Sequence, residues 1–209
     1  MDAILSDIID AVLDGDSRGV PGLCQEALDA GVSAADILKN GLLAGMGEVG
    51  VLFKSGEMFV PEVLVSAKTL QSGVDYLSPY LKETGVEAVG RVVTATVEGD
   101  LHDIGIKLVG MMLEGAGFEV INIGIDQPAQ RIIEKVREFK PNILALSAML
   151  TTTMGKMGEV TDLLKEEGLY EEVPVMVGGA PLTPTFAEKI GAHYSSDATS
   201  AVTVAKRLL

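Results

Sequence analysis

The 209 residues include two histidines and one cysteine, so metal or proton chemistry must be sought around very few side chains. One histidine stands in VEGDLHDIG, residues 97–105, where Asp100, His102 and Gly105 form a D-x-H-x-x-G arrangement and Asp103 adjoins the imidazole. An imidazole can give one ring nitrogen to a metal while the other donates to a carboxylate, which fixes the tautomer and raises the basicity of the ligating nitrogen. The D-x-H spacing keeps both groups on one turn, and Gly105 leaves the backbone free to bend under a large ligand. The same residues equally suit a solvated loop histidine beside a helix-capping aspartate, with Asp103 favouring a helix N-terminus through its dipole. Taken alone, the spacing leaves both readings open.

Two more clusters carry polar or permissive residues. SAMLTTTM (147–154) sets Ser147, Met149, Thr151 and Thr153 after an apolar run; helix capping accounts for one of these hydroxyls. VGGAP (177–181) ends another run with Gly178 and Gly179, required either by turn geometry or by close approach of a bulky ligand. A three-ligand zinc site is excluded in practice, because His193 is the sole second imidazole and no H-x-x-x-H occurs. His193 is read as structural or surface. GMGEVG (45–50) matches G-x-G-x-x-G, yet it lies within helical sequence rather than at a strand-to-helix turn, so it is read as a packing surface. With no nucleophile elbow, Walker loop or Ser-His-Asp set, no catalytic residue is assigned. The methionines, Met149, Met154 and Met157 among them, are read as core filler.

The elements that must position these groups change character along the chain. Ile4, Ile8 and Val12 recur at helical spacing; Asp16-Ser17 and Pro21 open a second helix that Gly31 closes. Ser33 with Asp36 caps a third helix running toward Phe53, and Pro61 opens a fourth with a seam of Val63, Ala67, Leu70, Val74 and Leu77. These four make a small antiparallel bundle. The stretch 78–88, with Pro79 and Gly85, reads as a linker. Beyond it, strands are expected at 90–97, 118–123, 142–148, 173–178 and 192–195. They alternate with helices at 103–116, 128–139, 153–167, 183–190 and 198–208. The expected fold class is thus α plus α/β: a four-helix bundle over 1–84, then a flavodoxin-like, Rossmann-like five-stranded parallel sheet over 85–209 with strand order 2-1-3-4-5. In that order the crevice opens at the carboxyl ends of strands one and three, where His102 and the threonine run follow.

Composition narrows the partners. Thirty acidic against sixteen basic residues give a formal charge of −14, a field that repels nucleic acid and anionic lipid. No apolar run has a membrane-spanning length, and the acidic start MDAILSDIID is unlike a signal peptide. Lone Cys24 excludes an intrachain disulfide framework and fits a reducing cytoplasm. The expectation is a cytoplasmic protein that engages neither nucleic acid nor membrane.

Taken together, D-x-H-x-x-G at 100–105, S-x-M at 147–149 and G-G at 178–179 resemble the cobalamin-binding domain of corrinoid proteins and of B12-dependent methionine synthase. GMGEVGVLFKSGEMFVPEVLVSAKTL (45–70) is similar to the helical cap of that family. The likeness extends over nearly the whole chain and is nearest to the small corrinoid proteins of methanogens and acetogens, which serve methylamine, methanol or methoxyaromatic methyltransferase systems. It implies base-off, His-on cobalamin with His102 as lower axial cobalt ligand, backed by Asp100 and a relay through Thr153. It further implies Gly105 beneath the corrin, Ser147 against the displaced benzimidazole tail, and Gly178-Gly179 beside that tail. The family usually has Leu where Met149 stands, a similar apolar volume, and G-K-N where this chain has Gly105-Ile106-Lys107.

The activity so implied is methyl carriage, with cob(I)alamin accepting a methyl group and methylcobalamin donating it. The implied partners are a substrate:corrinoid methyltransferase, a methylcorrinoid:tetrahydrofolate or coenzyme M methyltransferase, and a reductive activator. The chain would then be a non-autonomous subunit of a multi-component methyltransferase system, its cap shielding the cofactor and 78–88 acting as hinge. A B12-dependent sensor is the rival reading, for which no DNA-binding segment is evident. An adenosylcobalamin mutase subunit would lack the cap, and a plain flavodoxin-like interaction module leaves three ordered motifs to coincidence.

Overall fold

The computed structural model describes residues 2–84 and 88–209. They form a helical unit ending at Ala88 and an α/β unit built on Val89–Glu114 and Phe118–Leu209.

The helical unit comprises α1 (Asp2–Asp14), α2 (Val20–Asp29), α3 (Ala34–Ile37), a π-helical turn (Leu38–Leu42), α4 (Leu43–Ser55) and α5 (Val60–Thr84). Ile8, Val12, Cys24, Ile37, Leu42, Met46, Val49, Val63, Leu70 and Leu77 fill its core. Ser33 caps α3 as expected, accepting the Asp36 N–H at 3.1 Å. Within 45–50, Gly45 acts in helix packing, while Gly47 is exposed with no atom within 4 Å of a Cβ position. A Cβ on Gly45 would stand 2.9 Å from Val12 Cβ and 3.1 Å from the Ile9 carbonyl.

Two expectations about this unit are corrected. The third helix is not regular from Ser33 to Phe53, because the π-turn interrupts it. Ile37 and Leu42 are both fully buried, and five residues of α-helix would set them on different faces; the wider turn returns them to one. The stretch 78–88 is also not wholly linker, since α5 continues to Thr84 with Pro79 inside it. Fully buried Leu77 and the Tyr76–Tyr80 ring contact (centroids 6.5 Å apart) hold the helix through the proline. Pro79 and Asp75 are both exposed, so water can serve the Asp75 carbonyl whose helical donor the proline removes. Residues 85–87 of that stretch lie outside the described residues.

The α/β unit runs β1 (Arg91–Thr96), α6 (Ile104–Glu114), β2 (Glu119–Asn122), α7 (Ala129–Phe139), β3 (Ile143–Ser147), α8 (Gly155–Glu166), β4 (Val175–Gly178), α9 (Pro184–Ile190), β5 (His193–Tyr194) and α10 (Ala198–Leu208). All pairings are parallel and the order is β2-β1-β3-β4-β5, the doubly wound arrangement expected from the alternation of elements. One face buries Val93, Ala95, Leu144, Leu146, Val175 and Val177 against Ile132, Ile133, Val136, Met157, Val160 and Leu164 of α7 and α8. Side chains alternate along a strand, so Val92, Thr94, Thr96, Ile143, Ala145 and Ser147 face the other way, where α6 and α10 pack. Thr96 pairs with Ser147, which brings the loops leaving β1 and β3 side by side at the point where the winding reverses. No helix of the described residues is long and apolar enough to cross a membrane.

Candidate functional site

The loop after β1 is tied down residue by residue. The Val97 N–H donates to the Ser147 carbonyl at 3.1 Å, and the Asp100 N–H closes a turn onto the Val97 carbonyl at 3.1 Å. Gly99 takes φ +80° in that turn, a conformation that L side chains rarely adopt. Its N–H donates to Asp126 Oδ1 at 2.7 Å, while the Asp126 N–H donates to the Asp100 carbonyl at 3.1 Å. Thr96 completes the tether by donating its hydroxyl to the His102 carbonyl at 3.0 Å.

These tethers bury the Asp100 carboxylate completely, and each oxygen is engaged twice. Oδ1 lies 2.6 Å from His102 Nδ1 and accepts the His102 N–H at 3.1 Å. Oδ2 accepts the Met149 N–H at 2.7 Å and the Thr153 hydroxyl at 2.8 Å. Burial alone would raise the pKa of this group. The bonds from Met149 N–H, the His102 ring, the His102 N–H and Thr153 outweigh it and hold the carboxyl at about 2. Asp100 is therefore an anion at neutral pH, and its neighbour Nδ1 is the natural donor to it.

That assignment leaves the lone pair of His102 Nε2 pointing away from the carboxylate. The ring is 53% exposed, and its Nε2 makes no hydrogen bond to a described residue. Leu101 and Ile104, on either side of His102 and Asp103, are 69% and 67% exposed, and Leu150 in the facing turn is 41% exposed. An aimed imidazole among uncovered apolar side chains suits a metal carried in a broad, largely apolar ligand. The donor set agrees. No cluster of three or more His, Cys, Asp or Glu side chains that could hold a metal occurs among the described residues, so a metal held by His102 must bring its remaining ligands with it.

The other expected site residues fall into distinct places. Gly105 opens α6 with no atom within 4 Å of where a Cβ would be, so packing within the protein does not demand it. Asp103 pairs with Lys107 at 2.5 Å on the surface, which engages that lysine locally. Thr151 is exposed, whereas Thr153 is buried in the carboxylate network. Ser147 is buried at the end of β3, in register with Gly178 of β4. A Cβ on Gly178 would lie 3.2 Å from Ser195 Oγ. At Gly179, φ is +142° and a Cβ would overlap the Ala148 carbonyl oxygen. Packing of the strand ends therefore already requires Gly179 and nearly requires Gly178.

The structure thus joins Asp100, His102, Met149 and Thr153 in one network and leaves Asp103 and Thr151 outside it. Met149 enters through its backbone N–H, not through the apolar side chain that sequence reasoning singled out. Thr96, Asp126, Leu101 and Ile104 were not foreseen. Leu101 and Ile104 do carry a signal, being large apolar residues in the loop and first helical position around a polar motif. Asp126 sits at φ +52°, a conformation its sequence does not announce.

Comparison with known proteins identifies the family. The B12 binding domain family matches residues 90–203, and a second family, also described as a B12 binding domain, matches residues 4–78. Dimethylamine corrinoid protein 1 of Methanosarcina mazei is 43% identical over 208 residues, which cover 99% of this chain and 96% of that protein. Among solved structures, the methanol:cobalamin methyltransferase complex from Methanosarcina barkeri superposes with a TM-score of 0.90 at 31% identity, covering 100% of this chain and 80% of that one. A cobalamin-binding protein from Desulfitobacterium hafniense gives a TM-score of 0.81 at 34% identity, with 98% of each chain covered.

Proposed function

Because the chain belongs to the family of corrinoid proteins built from B12 binding domains, we propose that it is a methyl carrier. It binds cobalamin base-off, takes a methyl group from a substrate-specific methyltransferase and yields it to a second methyltransferase that acts on tetrahydrofolate or coenzyme M. The observation that carries this reading is the His102–Asp100 pair, a half-exposed imidazole aimed by a carboxylate with no exposure of its own.

When bound, the corrinoid supplies a cobalt centre that can accept and release the methyl group. The chain's own residues do the rest. His102 would hold the metal through Nε2, with Asp100 keeping the ring in the tautomer that leaves Nε2 unprotonated. Met149 N–H and Thr153 fix the far side of the carboxylate, so the acceptor that aims the imidazole is itself held in place from a second loop. Leu101, Ile104 and Leu150 would supply exposed apolar surface for the macrocycle, Gly105 would leave room beside it, and Ser147, Gly178 and Gly179 would contact the nucleotide tail.

The carboxylates beside the imidazole are already engaged, Asp100 by four donors and Asp103 by Lys107. Neither of these two is a free acid or base for activating a methyl donor. That chemistry belongs to partner methyltransferases, with a reductive activator to restore the cofactor after oxidation. The relatives named above serve dimethylamine and methanol, so donor choice lies with the partner rather than with this fold.

The test is direct. Purified protein mixed with hydroxocobalamin should retain the cofactor through gel filtration and show an imidazole-ligated, base-off spectrum. With the reduced cofactor, a cognate methyltransferase and its methylated substrate should methylate the bound corrinoid. A spectrum identical to free cofactor would remove the site, and absence of methylation with every cognate partner would remove the carrier role.

A further inference from the structure

The sheet face under α6 and α10 differs from the opposite face near its carboxyl edge. The opposite face presents Val93, Ala95, Leu144, Leu146 and Val177. This one presents Thr94, Ala145 and Met176 in one row and Thr96, Ser147 and Gly178 in the row at the edge. In the row nearest the His102 loop the layer between sheet and helices is thus lined by small and hydroxyl groups only.

Two hydroxyls of this region are bonded within the protein. Thr96 donates to the His102 carbonyl, and Ser195 donates to the Val177 carbonyl at 3.3 Å. Thr94 is different: it is fully buried in β1, and its Oγ1 finds no hydrogen-bond partner among the described residues. The second buried hydroxyl without a partner is Thr199 Oγ1, in the first turn of α10, a helix that packs on α6, β4 and β5. A buried hydroxyl left unpaired is destabilising, and valine would serve a central strand at least as well. Neither threonine is explained by the fold.

We infer that the Thr94 and Thr199 hydroxyls are hydrogen-bonding contacts for the polar nucleotide tail of the bound corrinoid, and that Thr94 selects corrinoids that carry this tail. The inference rests on the cobalamin-binding reading above and adds residues to it. Depth in the sheet argues for the tail rather than the macrocycle. Thr94 lies two residues, about 6.5 Å, further into the sheet than Thr96, whose hydroxyl already touches the loop that carries the imidazole. A flat ring resting on His102 does not reach that far inside the layer, whereas a slender appendage with hydroxyl and phosphate groups does.

Thr94→Val tests this through two effects of opposite sign. Without cofactor, the variant should melt about 2–4 °C higher than wild type, because an unpaired buried hydroxyl is gone. Titrated with hydroxocobalamin, it should bind about tenfold more weakly. Titrated with cobinamide, a corrinoid lacking the nucleotide tail, it should match wild type. Thr94→Ser should restore cobalamin affinity, and Thr199→Val should weaken cobalamin selectively even if the strand variant folds poorly. Unchanged cobalamin affinity in both valine variants overturns the inference, as does an equal loss for cobalamin and cobinamide. A wild-type protein that takes up no cobalamin overturns the parent reading instead, and that result appears before any variant is made.

Discussion

Replacing Asp100 by asparagine isolates what the carboxylate does, since shape is kept while charge and acceptor capacity are lost. Its hydrogen bonds hold the native carboxyl at about 2, below its ordinary 3.8, a difference on the order of 2 kcal/mol of stability at neutral pH. An amide has one acceptor oxygen for four donors. With its oxygen toward Met149 N–H and Thr153, its NH₂ faces His102 Nδ1 and the His102 N–H; turned over, it faces the Met149 N–H. Either way a backbone N–H loses its acceptor, a cost of about 1–3 kcal/mol. In the first orientation the amide also donates to Nδ1, which moves the ring proton to Nε2 and removes the lone pair a metal needs. We expect Asp100→Asn to melt about 5–10 °C below wild type at pH 7 by circular dichroism, and its complex with hydroxocobalamin to lack imidazole ligation. A variant that melts within 1 °C of wild type and shows the native spectrum would refute this account of how the ring is aimed.

Three further outcomes follow from the same geometry. The stability difference between wild type and Asp100→Asn should shrink in acid: a carboxyl with a lowered folded pKa stabilises fully above 3.8, and this contribution is lost as pH falls through about 2, so urea midpoints compared at pH 6, 4, 3 and 2 should converge toward the lowest value. His102→Ala should lower the melting temperature by only a few degrees, because the ring is half exposed and Asp100 keeps the Met149, Thr153 and backbone bonds; its corrinoid complex should nonetheless lose the imidazole signature in absorbance. Gly179→Ala places a methyl group on the Ala148 carbonyl oxygen at φ +142°, and a loss of at least about 2 kcal/mol in chemical unfolding is expected.

How far this molecule is legible from its sequence varies with the kind of interaction. The five strands and their order followed from alternating apolar runs, because a parallel sheet covered on both faces needs continuous burial such as RVVTAT and ILALS. The His–Asp pair was legible because both partners are two residues apart and chemically distinctive. On the far side of the carboxylate, Thr153 was reached only through the family resemblance, and the Met149 N–H was not reached at all, since it is a donor that every residue but proline possesses. The π-turn escaped notice because period-counting assumes α geometry, although the five-residue step from Ile37 to Leu42 does encode it. The end of α5 was misjudged because Pro79 was taken as a stop, when one exposed carbonyl is all it leaves unsatisfied. Gly178 and Gly179 looked alike in sequence, yet only the second has a backbone that L side chains rarely adopt.

One carboxylate links two connections of the sheet, with one oxygen on the segment leaving β1 and the other on the turn leaving β3. It works as a rigid strut, so the direction of the imidazole is set by the spacing of two central strands and not by the loop that bears it. The turn at 149–153 has an outer side, Leu150 through Thr152, open to solvent. A displacement of that turn would be passed to the ring through this one group, because Oδ2 is bonded to the turn and Oδ1 to the imidazole.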